Sequence, residues 1–201
     1  AVDECGEVVD GDQLMSICGN YMKQKGTLKK NTIVATVMSN LGMFLMGERE
    51  GIHIEKTKVG DRYVLENMLE NGYNIGGEQS GHIIFLDENT TGDGLLSALH
   101  LLQVMTETKK KLSELASIME VLPQALVNAK VPNHKKEHFE EYAEIAEAIA
   151  EVEAKFAGEG RVLIRPSGTE PLVRVMIEGK DQQLIESEAQ KLAELISSIM
   201  L

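Results

Sequence analysis

Residues 32–38 read TIVATVM, a nearly continuous apolar run without polar alternation. Such a strand must be covered on both faces, so it calls for a sheet sandwiched between layers. The surrounding sequence supplies the layers. Asp10-Gly11-Asp12 opens a helix reaching about Lys25, with Leu14, Ile17, Cys18 and Tyr21 on one face. Residues 41–46 look helical and 52–57 look like a strand. Asp61 caps a helix running to about Leu69, which Asn71-Gly72 stops. A short strand leads into Gly76-Gly77, and 82–86 forms another. Thr91-Gly92-Asp93 precedes a long apolar helix through about Met105, and a shorter helix spans 112–119. This alternation predicts a layered α/β domain with a mixed sheet over residues 11–121. Residues 1–10 read as a hairpin turning at Glu4-Cys5-Gly6.

The rhythm changes at Val121-Leu122-Pro123. A strand over 125–131 is followed by a turn at Pro132-Asn133. A helix over 136–154 then carries a stripe of Phe139, Tyr142, Ala146, Ile149 and Ala150. Strands over 161–165 and 172–177 flank a polar loop. A last helix over 182–200 is expected to bury Leu184, Ile185, Leu192, Leu195 and Ile199. Residues 122–201 therefore predict a small α+β domain, a sheet with helices on one face.

A net charge of −12 argues against nucleic acid or an anionic membrane as partner. No apolar run approaches the ~20 residues of a membrane span. Two cysteines make no disulfide framework, which fits a reducing cytoplasm. Cys18, set among Leu14, Met15, Ile17 and Met22, reads as a buried structural thiol. The start, Ala1-Val2-Asp3-Glu4, is neither a signal peptide nor a Met start, and suggests a piece of something longer. In so acidic a chain, a site for a phosphorylated ligand must gather its cations locally.

Arg165-Pro166-Ser167-Gly168-Thr169-Glu170-Pro171 is such a place. Prolines bound it, Gly168 lets a ligand approach the backbone, and Ser167 and Thr169 bring hydroxyls. Arg165 stands at its entrance and Arg174 just beyond. Successive backbone N–H groups in a tight turn form an anion nest, and arginine adds bidentate recognition. A polar turn with incidental arginines is the plain alternative. A second stretch, Gly76-Gly77-Glu78-Gln79-Ser80-Gly81-His82, holds a carboxylate, an amide and a hydroxyl between glycines. Glu78 with Ser80 suits the diol of a sugar, although a structural turn would need the same residues.

GGEQSGH followed some eighty residues later by RPSGTEPLVRV resembles the α-D-phosphohexomutase superfamily. The glutamine of GEQSGH, TVMSN at 36–40 and TTGDG at 90–94 resemble its phosphoglucosamine mutase branch. The resemblance covers essentially the whole chain, as the third and fourth of the family's four domains after a remnant hairpin of the second. It implies interconversion of glucosamine 6-phosphate and glucosamine 1-phosphate through a phosphoserine, a bisphosphorylated intermediate and Mg²⁺. The partner implied is a small sugar phosphate, and a homodimer of the parent is compatible with it. Carried over by motif, Glu78 and Ser80 would hold sugar hydroxyls. Arg165, Ser167, Gly168, Thr169 and Arg174 would hold the non-reacting phosphate. Asp61 and Arg62 of the VGDRY turn are weaker candidates, and a helix cap at Asp61 is the alternative.

The family's serine loop and its Asp-Gly-Asp-x-Asp-Arg metal loop are missing from these residues. Asp10-Gly11-Asp12 mimics the metal loop without its third Asp and Arg, and reads better as a helix start. The chain is therefore expected to be inactive alone, with Mg²⁺ ligands lying in the parent. A phosphoglucomutase or phosphomannomutase is the runner-up, which a GEMSGH loop would have favoured. A non-catalytic sugar-phosphate binding module is the alternative from another class. His134-Lys135-Lys136-Glu137-His138 matches the H-x-x-E-H zinc pattern, but it is lysine-rich and directly follows a turn. Lys109, Lys110 and Lys111 read as a solvated helix end, and His53 and His100 take no role.

Overall fold

The structure is a computed structural model describing residues 1–156 and 158–201. It divides into two units, Ala1–Val121 and Leu122–Leu201.

In the first unit a helix α1 (Gly11–Gln24) leads to strand β1 (Thr32–Thr36), whose five residues are all buried. Then come α2 (Leu41–Glu50), β2 (His53–Thr57), α3 (Asp61–Asn71), β3 (Ile75–Gly77), β4 (Ile83–Phe85), α4 (Gly94–Thr108) and α5 (Leu112–Ala116). The sheet runs β2-β1-β3-β4, with β1 parallel to β2 and β3, and β4 antiparallel to β3. This is the mixed sheet expected. Successive β1 side chains point to opposite layers. Ile33 and Ala35 pack with Met15, Cys18, Met43 and Met46 of α1 and α2. Val34 packs with Val64 and Met68 of α3 on the other face. Both faces are covered, as the apolar run demands. The first residues form the hairpin, with Val2 bridged to Val8, and Asp3 Oδ1 accepts from the N–H groups of Cys5 and Glu7.

Two details of this unit correct the sequence reading. Asp61 is not the cap of α3: Gly60 is, at φ 131°, a backbone conformation that favours glycine, and Asp61 is the first helical residue. Strand β1 stops at Thr36, where Met38 N–H turns back onto the Thr36 hydroxyl at 3.2 Å.

The second unit comprises β5 (Gln124–Lys130), a 3₁₀ segment (Lys136–Glu141), α6 (Ala143–Phe156), β6 (Gly160–Pro166), β7 (Leu172–Gly179) and α7 (Gln182–Met200). Its sheet, β5-β7-β6, is antiparallel throughout. Val173, Val175 and Ile177 of β7 meet Ile145 of α6 and Ile185, Leu192 and Ile196 of α7. The single helix expected over 136–154 is broken: Tyr142 is extended, at φ −88° and ψ 112°, between the 3₁₀ segment and α6. The break resets the helical phase. Ile145, Val152 and Phe156 point inward, while Ala146 and Ala150 of the expected stripe are exposed. On α7, Ile185, Leu192, Ile196 and Met200 are buried. Leu184 is exposed, because the core-facing row follows Ile185.

Candidate functional site

Three parallel strands of the first unit end side by side, and ligands of open α/β sheets bind outside the carboxyl ends of such strands. The loops there follow Thr36 of β1, Thr57 of β2 and Gly77 of β3. With the order β2-β1-β3, the chain passes from β1 to β2 on one side and then on to β3 at the other, and folds with this switch bind ligands at the loops after β1 and β3. The GEQSGH stretch is the loop after β3.

Hydrogen bonds tie these loops into one network. The half-buried Glu78 accepts from Gly60 N–H through Oε1 at 2.9 Å, which fastens the loop after β3 to the start of α3. Gln79 O accepts from Gly11 N–H at 2.9 Å, and its side-chain amide donates to Asp10 Oδ2 at 3.1 Å. Asp10 caps α1 with its other oxygen, on Gln13 N–H at 3.0 Å. Asp12, fully buried, accepts from Asn40 N–H at 2.7 Å and so holds the loop after β1. Asn40 in turn caps α2 through Gly42 N–H. Gly11 is indispensable here, since a Cβ on it would lie 2.1 Å from Glu78 O and 2.7 Å from Gly81 N. The fourth loop joins through His82, whose Nε2 accepts from Gly92 N–H at 3.3 Å and stands 3.6 Å from Asp61 Oδ2.

Of the sequence candidates, Ser80 is exposed on the loop after β3. Asp61 and Arg62 line a cleft of about 220 Å³ with Leu65, His82, Ile84, Thr90 and Thr91. Arg62 is exposed and paired with Glu66 at 2.7 Å, which raises its pKa above the usual guanidinium value. His82 and Asp12 are the residues that sequence reasoning passed over. The histidine's place inside GEQSGH was visible, but its reach to Gly92 was not. Asp10 and Asp12 are committed to Gln79 and Asn40. Among the described residues no three His, Cys, Asp or Glu side chains gather as a metal ion requires, so the residues present do not fit a Mg²⁺ site. A hollow of about 540 Å³ touching Cys18, Phe85 and Asn74 lies at the other end of the strands. Its polar groups are already partnered, Lys25 with Glu107 and His100 with Glu88, each at 2.7 Å, and Asp87 with Lys29.

In the second unit, Arg165 of β6 lies directly opposite Arg174 of β7, and Asn128 of β5 lies on Arg174's other side. Neighbours in register share a face, here the one turned away from Val173 and Val175 and hence from the helices. Like charges directly opposite destabilise a sheet. Two guanidinium groups in that position form a cationic spot that an anion would relieve. Arg174 also reaches Glu170 Oε2, at 3.3 Å. The loop between the two strands closes on itself. Ser167 N–H donates to Leu172 O, Leu172 N–H to Glu170 O, and Glu170 N–H to Ser167 Oγ at 3.2 Å. Ser167 is buried, whereas Gly168 and Thr169 are exposed, with open space beside the Gly168 Cα. Lys136, buried, sends its ammonium under the loop to Ser167 O and to Glu170 O. The H-x-x-E-H segment thus contributes a loop brace. A contact spanning 31 residues left no local signal in the sequence.

A family model described as phosphoglucomutase/phosphomannomutase, alpha/beta/alpha domain III, matches residues 10–122. The C-terminal domain model of the same family matches residues 126–195. The chain belongs to the phosphoglucomutase/phosphomannomutase family. Among curated relatives, phosphoglucosamine mutases of Ruminiclostridium cellulolyticum and Acetivibrio thermocellus are 63% and 64% identical over 196 residues. These alignments cover 98% of this chain and 44% of each relative, so the chain spans less than half the length of the proteins it matches. Among solved structures, Aspergillus fumigatus N-acetylphosphoglucosamine mutase, in complex with GlcNAc-6P and magnesium, shares the fold. Its TM-score is 0.78 at 17% identity, over 100% of this chain and 46% of that one. A Burkholderia thailandensis phosphoglucomutase/phosphomannomutase family protein gives 0.71 at 18% identity, over 97% of this chain and 43% of that one. Both units thus belong to the phosphohexomutase fold, and no helix among the described residues is long and apolar enough to cross a membrane.

Proposed function

We propose that this chain is the substrate-recognition half of a phosphoglucosamine mutase. The parent would be a cytoplasmic isomerase interconverting glucosamine 6-phosphate and glucosamine 1-phosphate, supplying UDP-N-acetylglucosamine for cell-wall synthesis. Within the first unit, residues 11–121 recognise sugar hydroxyls, and the second unit, residues 122–201, holds phosphate. Mg²⁺ and the phosphoserine belong to the parent outside these residues, and these residues alone have no mutase activity.

The observation that carries the reading is the register of Arg165 opposite Arg174, beside a loop whose backbone is already folded around Ser167. Bidentate guanidinium groups complement a phosphate, and a prefolded loop loses little entropy when it binds one. Ser167 can donate its hydroxyl hydrogen while accepting from Glu170, and Gly168 and Thr169 present their N–H and hydroxyl groups at the open surface. In the first unit, Glu78 keeps Oε2 for a ligand while Gly60 N–H holds Oε1. One carboxylate oxygen is thus anchored and the other can accept from a sugar hydroxyl. Ser80, Asp61 and Arg62 complete the sugar side.

Titrating this chain with inorganic phosphate, followed by backbone amide shifts, tests the phosphate assignment. The shifts should concentrate on Ser167, Gly168 and Thr169, and added chloride salt should weaken binding by screening the arginines. Arg165→Ala should lower affinity about ten-fold, the weight of a charge-assisted hydrogen bond. Lys180→Ala, at a residue paired with Glu159, should leave it unchanged. Shifts confined to other parts of the chain would remove the anion site from this loop.

A further inference from the structure

Gln79 sits in the middle of the GEQSG loop, where it invites a role in reading the sugar. Its side-chain nitrogen and its backbone carbonyl are engaged elsewhere. The side-chain amide donates to Asp10 Oδ2 at 3.1 Å, and the backbone carbonyl accepts from Gly11 N–H at 2.9 Å. Both contacts go to the start of α1, 68 and 69 residues earlier in the chain. Glu78, one residue before, is held from its other side by Gly60 N–H. The loop after β3 is therefore clamped between two helix starts, and the Gln79 amide is the side-chain half of the α1 clamp.

We infer that Gln79 is a positioning residue: it sets Glu78 by bridging to Asp10, and it does not itself discriminate between sugars. This rests on the proposed role of Glu78 in binding the sugar. Asp10 is suited to the task because its two oxygens divide the work, Oδ1 capping Gln13 N–H and Oδ2 receiving Gln79. A methionine at position 79 would keep the backbone bond and lose the bridge.

The pair also permits a swap of polarity. Gln79→Glu sets a second carboxylate against Asp10 and should repel it. Adding Asp10→Asn restores complementarity, because asparagine still caps the helix with its oxygen while its amide donates to the introduced carboxylate.

The experiment has two arms. In this chain, amide hydrogen exchange at Glu78, Gly81 and Gly11 reads the clamp directly. Gln79→Met and Gln79→Glu should each speed exchange there about ten-fold, the weight of a hydrogen bond to a charged acceptor. The double variant Gln79→Glu with Asp10→Asn should return it toward the parent value. In the full-length parent, Gln79→Met should raise KM for glucosamine 6-phosphate and glucose 6-phosphate by the same factor, with their kcat/KM ratio unchanged. A changed ratio with unaltered exchange would show that Gln79 contacts the sugar and would overturn the inference. Failure of the double variant to restore exchange would also overturn it, since the bridge would then not be the link. Restored exchange with no KM effect from Gln79→Met would leave the clamp standing and refute the binding role of Glu78 instead.

Discussion

Gly11→Ala isolates the contact on which the first unit's loops depend. Gly11 lies in the first turn of α1, outside the left-handed region, so alanine suits its backbone. On local grounds the substitution should stabilise by about 0.4–1 kcal/mol, by restricting the unfolded chain. The tertiary environment reverses the sign. The new Cβ would meet Glu78 O at 2.1 Å, Gly81 N at 2.7 Å and Gln79 O at 2.8 Å, all backbone atoms that no rotamer change can move. Overpacking of this kind costs roughly 1–3 kcal/mol. Displacing the loop also loses the Gly11 N–H to Gln79 O bond, about 1 kcal/mol more. The net expectation is a loss of about 1–3.6 kcal/mol, which at the middle of that range lowers Tm by roughly 10 °C for a unit of this size. Gly94→Ala is the matched control: it is the first residue of α4, with nothing within 4 Å of a Cβ, and should be neutral or slightly stabilising. Thermal and urea unfolding by circular dichroism would compare the two. Equal stabilities for Gly11→Ala and Gly94→Ala would refute the packing of α1 against the loop after β3.

Three further outcomes are expected. Lys136→Met should destabilise the second unit by about 1.5–3 kcal/mol in urea unfolding, because Ser167 O and Glu170 O lose a charged donor; unchanged stability would show that the loop holds itself. Lys155 and then Lys191 hold the carboxyl of Glu188 below its ordinary value of 4.5, so this contribution is present above pH 4.5 and fades as pH falls through the lowered pKa. Acid titration of Glu188→Gln should therefore show a second unit weaker at neutral pH but losing less stability below pH 4.5 than the parent chain does, and parallel acid profiles would contradict it. A thiol reagent should label Cys5 in the folded protein and reach Cys18 only in denaturant, since burial pushes the Cys18 thiol up to about 12; rapid labelling of both would refute the packing around Cys18.

Much of this protein is local and was legible as such. The apolar run of 32–38 required a covered strand, and β1 is buried along its length between α1 and α2 on one side and α3 on the other. Thr91-Gly92-Asp93 before an apolar stretch announced a helix, and the structure adds that Asp93 caps it, accepting from Leu95 and Leu96 N–H. The loops GEQSGH and RPSGTEP stood out because glycine, proline and hydroxyl residues bracketed charged groups. Helix phase beyond a break was not legible. Tyr142 interrupts the segment before α6, and a pattern read at one continuous helical period then places Ala146 and Ala150 inward when Ile145 holds that position.

What the sequence determined by itself is what depends on neighbours along the chain: strand and helix periodicity, the glycine stop of α3, and the presence of two loops rich in ligand-type groups. Only the tertiary structure decided how those loops are held. Asp10 reaches Gln79, Asp12 reaches Asn40, Lys136 runs under Ser167, and Arg165 faces Arg174 across a strand register. Three of these contacts join residues 28 to 69 positions apart, and the fourth follows from how β6 and β7 align. Contacts at such separations depend on how whole elements pack, so no local pattern of charge or hydropathy encodes them. The same chemistry explains why Asp10-Gly11-Asp12 resembled a fragment of a metal loop and is a clamp. Two carboxylates flanking a glycine suit a cation when they converge, and suit two separate N–H donors when the helix start turns them apart.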